Sequence, residues 1–358
     1  MKTTIHRRIR YTVLACFILF AIAISPYQQA YPQVVFQAAQ RAAQSLHPVL
    51  AVESVGITVS DMDKAISFYS QVLPFQKISD VEVLGSDYEQ LQGLFGIRMR
   101  VVKMHLGDEV LELTEYLTPK GKPIPIDSKS HDRWFQHIAI VVSDMDRAYQ
   151  YLRQHKIQYT STEPQRIPDS NKVAAGIRAF YFKDLDGHNL EIIYFPPGKG
   201  NPKWQKLSKH LFLGIDHTAI VVADTQASLK FYRDLLGFKL AGASMNHGIE
   251  QAHLNNVEGA RLQISGLRAP NGIGIEFLEY LEPRSGRAFP SDARPNDVLH
   301  WQTTLVVQDV EAATQRLQAN RTLLISPKPT KISGQVLGFQ QGILVRDPDG
   351  HALRLVKK

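Results

Sequence analysis

One pattern occurs four times in this chain, and that repetition limits the fold more than any other feature of the sequence. The stretch GITVSDMDKAISFYSQVLPF (56–75) aligns with AIVVADTQASLKFYRDLLGF (219–238). Asp61 matches Asp224, Phe68-Tyr69 matches Phe231-Tyr232, and Phe75 matches Phe238, all 163 residues apart. The same offset carries KDLDGH (183–188) onto RDPDGH (346–351), and LELTEYLTP (111–119) matches IEFLEYLEP (275–283) at an offset of 164. The chain is therefore a tandem duplication, with domains at 50–198 and 214–358 and a linker at 199–213.

Each half is itself double. HIAIVVSDMDRAYQYL from His137 is similar to SVGITVSDMDKAISFY from Ser54, and QTTLVVQDVEAATQRL from Gln302 to HTAIVVADTQASLKFY from His217. Asp61, Asp144, Asp224 and Asp309 each close a β-type run and open a helical pattern, as helix N-caps do. The stripes that follow, Met62/Ala65/Tyr69, Met145/Ala148/Leu152 and Val310/Ala313/Leu317, describe amphipathic helices. The strand before each helix has two unlike faces, because alternate residues point to opposite sides. Val55/Ile57/Val59, Ile138/Ile140/Val142 and Ile220/Val222 make bulky faces that suit packing under a helix. The opposite faces, Ser54/Gly56/Thr58, His137/Ala139/Val141, His217/Ala219/Val221 and Gln302/Thr304/Val306, are smaller or polar and leave room for a ligand. The expected fold is α+β: four βαβββ modules, two per domain, whose mixed sheets curve into U-shaped clefts with helices on the outer face.

Charge argues against nucleic acid. The formal charge of +7 includes Lys2, Arg7, Arg8 and Arg10, which lie in a first thirty residues that hold no acid. Without them 37 basic residues face 34 acidic ones, or +3, and no Lys/Arg run remains beyond Lys357-Lys358. The cationic start, the apolar run from Val13 to Ile24 and the break at Ser25-Pro26 have the layout of a secretory signal over residues 1–30, followed by a Gln- and Ala-rich linker at 31–49. The apolar run is shorter than the roughly 20 residues that cross a bilayer, so a periplasmic or extracellular protein is expected ahead of one held by an uncleaved anchor. The only cysteine, Cys16, falls inside this run. A processed chain would have no disulfide, thiol nucleophile or thiolate metal site.

The four-fold plan, the FYRDLLGF-type helix ends and DPDGH before a last strand together resemble the vicinal oxygen chelate superfamily of glyoxalases, extradiol dioxygenases, epimerases and bleomycin-resistance proteins. The resemblance covers about 50–358. It implies that paired modules hold one divalent metal with residues from their first and last strands. Carried over to this sequence, those positions are Ser54, Glu112, His137 and Glu191 in the first half and His217, Glu276, Gln302 and Arg354 in the second, with His300 an alternative to Gln302. On this reading Glu112, His137 and Glu191 hold zinc, nickel, manganese or iron, and His217, Glu276 and Gln302 form a weaker second site. Glu112 and Glu191 supply proton transfer beside a metal-bound oxygen. Ser54 and Arg354 are left for substrate, Arg354 because it would repel a cation.

Three functions follow from this resemblance. The first is a metal-dependent isomerase or lyase acting on a small molecule. The second is a metal-free sequestering protein of the bleomycin-resistance type. The third is a ring-cleaving dioxygenase, which needs two histidines where the first half offers Ser54 and His137. Glu115 and Glu279 read as surface charges, DLDG and DPDG as turns, and His188 and His351 as residues orienting those turns. A single chain can supply whole clefts, so a monomer suffices and a homodimer is equally compatible.

Overall fold

A computed structural model describes residues 48–358; the expected signal and nearly all of the linker after it lie outside the described residues. Module 1 comprises β1 (Ala51–Thr58), α1 (Met62–Gln71), β2 (Gln76–Leu84), α2 (Ser86–Gln92), β3 (Arg98–Leu106) and β4 (Glu109–Thr118). Module 2 comprises β5 (Gln136–Val142), α3 (Met145–Gln154), the short β6 (Gln158–Tyr159) and β7 (Gln165–Arg166), β8 (Arg178–Lys183) and β9 (Asn189–Tyr194). Module 3 has β10 (Phe212–Val222), α4 (Thr225–Leu229, prolonged by a π turn), β11 (Lys239–Asn246), α5 (Ile249–Asn255), β12 (Arg261–Arg268), β13 (Asn271–Gly272) and β14 (Gly274–Glu282). Module 4 has β15 (Trp301–Val306), α6 (Val310–Ala319), β16 (Leu323–Leu324), β17 (Thr330–Lys331), β18 (Gln341–Arg346) and β19 (Ala352–Lys357).

The first helix of each module starts at one of the four aspartates. Each aspartate is extended and accepts a hydrogen bond from the backbone N–H three residues on, satisfying one of the donors a helix start leaves open. A second cap was not expected. Glu115 and Glu279, read from sequence as surface charges, accept from the N–H of Met62 (3.0 Å) and Thr225 (2.9 Å), so in modules 1 and 3 the last strand holds the first turn of the module's first helix. Their negative charge at a helix N-terminus is also favourable.

The repeated FY and DxDGH motifs meet in space. Tyr69 donates to Asp184 (3.1 Å) and Tyr232 to Asp347 (3.0 Å). Asp184 and Asp347 also accept backbone N–H groups of their own turns and face the imidazoles of His188 and His351 at 2.8 and 3.0 Å. Gly187 and Gly350 carry φ of +93° and +108°, which only glycine adopts without strain. Each motif pair therefore latches module 1 to module 2, or module 3 to module 4.

The sheets themselves pair the modules differently. One sheet runs β16-β18-β19-β15-β1-β4-β3-β2 and joins modules 4 and 1; the other runs β11-β12-β14-β10-β5-β9-β8-β6 and joins modules 3 and 2. In every module the first strand lies parallel to the last, which leaves one edge free. That edge is closed by the first strand of another module, antiparallel. Pairing inside a half or across the halves covers the edge equally well, so the repeat does not choose between them. The bulky strand faces and the helix stripes merge into one core shared by both sheets, on the side away from the clefts.

Candidate functional site

The cross-half pairing decides which side chains meet. In the sheet of modules 2 and 3, His137 lies opposite Ala219 and His217 opposite Ala139. Both imidazoles leave the same face, with ring centroids 5.9 Å apart. Glu191 lies beside Ala139 and Glu276 beside Ala219, so two rows cross the sheet: Glu191–Ala139–His217 and His137–Ala219–Glu276. The two alanines keep the space between the four larger groups open.

His137 Nε2 is 3.0 Å from Glu191 Oε2, and His217 Nε2 is 3.7 Å from that oxygen and 3.6 Å from Glu276 Oε1. One donor atom from each of His137, Glu191 and His217 falls within 4.8 Å of the others. Ligands about 2.1 Å from one ion lie roughly 3–3.5 Å apart, so these separations suit a shared cation. Both nitrogens of His137 and Nε2 of His217 are buried without a hydrogen-bond partner. Buried polar atoms seldom stay unsatisfied, and imidazole with carboxylate is the donor chemistry of zinc, nickel, manganese and iron. The residues present therefore fit a divalent metal.

Burial alone would depress His217, but Glu276, Asp216 and Glu191 push it up to about 9. Burial raises the carboxyl of Glu276, and Glu191 adds to that rise. The sequence reading had no role for Asp216, Arg268 or Trp204. Asp216 lies 3.0 Å from His217 Nδ1, takes the Trp204 indole N–H at 2.6 Å and pairs with Arg268 at 2.7 Å. Burial by itself would raise Asp216; His217, Arg268 and Trp204 instead hold it well below the usual carboxylate range. An acceptor on the far nitrogen of a ligating histidine fixes its tautomer and ring orientation. Trp204 belongs to the stretch expected to be a linker, so that connection also has a task. The signal for Asp216 was its place one residue before His217.

Beside these groups opens a cavity of about 590 Å³. Glu191, His217 and Glu276 line one end, Ile167, Ile177, Phe195 and Ile264 give apolar walls, and Ser244, Asn246 and Gln251 supply neutral polar groups. The Glu276 side chain is 27% exposed, against 5% for Glu191, and of the two carboxylates it is the one open to a ligand.

Glu112 is not part of this centre. It lies in the sheet of modules 1 and 4, in rows made of Gln302–Gly56–Glu112 and Arg354–Thr304–Ser54. Arg354 forms a two-pronged ion pair with Glu112 (2.8 and 2.9 Å) and also donates to Thr304, while Gln302 donates weakly to Glu112 at 3.4 Å. Burial would raise Glu112, and Arg354 brings it below its ordinary value. The expected trio of Glu112, His137 and Glu191 thus does not assemble, and neither does the trio of His217, Glu276 and Gln302. Glu112 is committed to a buried salt bridge, which leaves it no role in proton transfer. Arg354 is engaged by Glu112 and Thr304, and neither it nor Ser54 borders the cavity, so the substrate role expected of them finds no support here. His300, the alternative to Gln302, lies just before β15 and outside both the cavity lining and the His137–Glu191–His217 cluster; burial and the nearby Arg346 drive its imidazole down to about 3. The space above this sheet is filled by Phe339 and Leu337, each 2% exposed, with the Arg354 guanidinium 5.1 Å from the centre of the Phe339 ring.

The description Glyoxalase/Bleomycin resistance protein/Dioxygenase superfamily matches this chain twice, at residues 51–192 and 214–355. The chain belongs to that superfamily. A curated relative, 2-epi-5-epi-valiolone epimerase of Actinomyces sp, is 32% identical over 154 residues, which is 42% of this chain and 81% of the relative. Glyoxalase I from Zea mays superimposes with a TM-score of 0.54 at 16% identity, covering 87% of this chain and 92% of that one. A mutant of the maize enzyme gives 0.58, also at 16% identity, over 88% and 96%. At that level of identity the superfamily member from maize shares the fold. Each family match covers one half of this chain, yet each cleft is assembled from both halves.

Proposed function

We propose that this superfamily member is a metal-dependent epimerase or isomerase of a small oxygenated compound, working in the cleft of modules 2 and 3. The observation that carries this reading is the convergence of His137, Glu191, His217 and Glu276 at one end of a cavity. His137, His217, Glu191 and Glu276 would hold the ion, with Asp216 fixing the His217 ring. Such an ion, when bound, polarises a substrate oxygen as a Lewis acid and makes the neighbouring C–H easier to deprotonate.

The chain's own groups then account for the proton. Glu276 faces the cavity and is the more exposed of the two carboxylates, which places it to take up a proton from a ligand there. Glu191 enters from the other module across the antiparallel strand pair, so the two carboxylates are related by the local two-fold of β5 and β10. Epimerisation removes a proton from one face of a carbon and returns one to the other, a task for two such groups. Apolar walls around the cavity limit water near the reacting carbon.

The named relative makes 2-epi-5-epi-valiolone the first compound to test. Incubated with the protein and zinc, nickel, manganese or iron in D2O, it should take up deuterium at the epimerised carbon, followed by NMR. Glu276→Gln should slow that uptake by at least about a hundredfold. Uptake at the wild-type rate in Glu276→Gln would contradict the assignment.

Two histidines and a glutamate are also what a ring-cleaving dioxygenase uses, and His137, His217 and Glu191 supply them. The second carboxylate, Glu276, and the epimerase relative favour proton transfer instead. Oxygen consumption with iron and a catechol would reverse that preference. The cationic and apolar pattern of residues 1–30 supports export of the enzyme, which fractionation of the producing cells checks.

A further inference from the structure

Across the sheet from Glu276 two successive positions of the cavity floor have no side chain. Gly266 lies directly beside Glu276 on β12, and Gly242 lies beside Gly266 on the edge strand β11. A Cβ at either position would meet nothing within 4 Å, and neither residue has a positive φ. Glycine inside a strand costs about 0.5–1 kcal/mol relative to alanine. The strand register shifts between Leu240 and Gly242, but the other sheet makes the same shift before Ser79 without a glycine, so neither glycine is demanded by a turn, a crowded neighbour or the irregular register. Bare strand backbone is what a closely approaching ligand requires.

The other sheet shows the same positions filled. There Glu112 is followed across the strands by Lys103 and Ser79. Lys103 extends over the floor to donate to the Leu337 carbonyl at 2.6 Å and comes within 3.9 Å of Glu112. Phe339, two residues before β18, closes that cleft, whereas the residue two before β8 is Gly176. The open cleft thus lacks side chains at the places where its twin is plugged.

Charge narrows the ligand. Glu191, Asp216 and Glu276 line the cavity, and among the described lining residues the one arginine is Arg268, with no lysine. Arg268 is held by the Asp216 carboxylate and carbonyl at 2.7 and 2.9 Å. Away from the metal end, a phosphate or carboxylate would find no unengaged lysine or arginine, whereas hydroxyl groups would find Ser244, Asn246 and Gln251, whose Oε1 is buried without a partner.

We propose that Gly266 and Gly242 form the floor on which an uncharged, hydroxyl-bearing substrate lies beside Glu276, and that Gly266 sets the size of ligand admitted. This rests on the metal-centre reading above. The test compares wild type with Gly266→Val, both zinc-loaded, using 2-hydroxycyclohexanone as a neutral probe and 3-phosphoglycerate as an anionic one, with binding followed by ligand-observed NMR. Wild type should bind the neutral probe and prefer it to the anionic one; Gly266→Val should weaken it at least tenfold. Thermal midpoint and zinc stoichiometry should be unchanged in the variant, or the midpoint raised, because valine suits a strand and the space is open. Equal binding by wild type and Gly266→Val, no binding of the neutral probe, or preference for the phosphorylated one would overturn the proposal. Zinc separates the two claims: absent from both proteins it condemns the metal centre, while retained zinc with unaltered probe binding condemns the floor.

Discussion

In one sheet His137, Glu191, His217 and Glu276 stand around a space beside a 590 Å³ cavity; in the other the equivalent positions carry Gln302, Arg354, Ser54 and Glu112 under a lid of Phe339 and Leu337. The strand order, the register around the two clefts and the aspartate caps correspond. The difference lies in how the buried charge is balanced. Two carboxylates facing two imidazoles leave negative charge for a cation to neutralise, whereas one carboxylate facing an arginine is neutralised within the chain. Where one cleft has Glu191 the other has Arg354, whose guanidinium stands where the proposed ion would otherwise balance the charge, and Lys103 and Phe339 take up the room a ligand would need. Of the two duplicated clefts, one keeps an open cavity beside its polar centre and the other is closed by an ion pair and packed side chains.

The largest way to break that contrast is Arg354→Ala, which strands Glu112 as an unpaired buried charge. Urea unfolding should show a loss of about 3–5 kcal/mol with metal content unaltered; a loss below about 1 kcal/mol would mean the pair is not structural. Phe339→Ala should reopen the plugged cleft at a cost of about 3 kcal/mol, measured the same way. No comparable loss is expected from Gly266→Ala, which adds a methyl group to open space in the other cleft.

A smaller effect is expected from pH. Folded, metal-free protein holds the His217 proton to about 9, above the roughly 6.5 of an unfolded chain. That contribution to stability is complete below about pH 6.5 and is lost as pH rises towards 9. Thermal midpoints of chelator-treated protein should fall across this window, and His217→Gln should flatten the profile; parallel profiles would contradict the assignment. Least of all, Asp144→Ala and Asp309→Ala should each cost about 1 kcal/mol, because the caps are blind to what the clefts contain.

Much of this was legible from sequence. Module count, the four aspartate-capped helix starts and the DxDGH turns follow from local rules acting within a few residues or at a constant offset; the contacts of Tyr69 with Asp184 and Tyr232 with Asp347 join different modules and were not foreseen. All four residues of the metal-type centre were among the expected ligands, and Gln302 sits at the register position equivalent to His137, as aligned. Their grouping was misread, because the choice between pairing modules 1 with 2 and pairing 2 with 3 depends on long-range edge closure that leaves no local mark. One signal was present: pairing modules 2 and 3 gives two histidines and two glutamates, while pairing within a half always leaves a serine or an arginine. Asp216, Arg268 and Trp204 were missed since each matters only through contact with another. Gly266 and Gly242 contribute by having no side chain, and a gap has no motif.

The central claim is that metal belongs to one cleft only. Elemental analysis of protein purified without chelator tests it directly on wild type, His137→Ala/His217→Ala and Glu112→Leu/Arg354→Met. The account predicts about one divalent ion per chain in wild type and in Glu112→Leu/Arg354→Met, whose apolar replacement of the ion pair should fold, and none in His137→Ala/His217→Ala. Metal retained by the histidine variant, or lost from the Glu112/Arg354 variant while it remains folded, would contradict it.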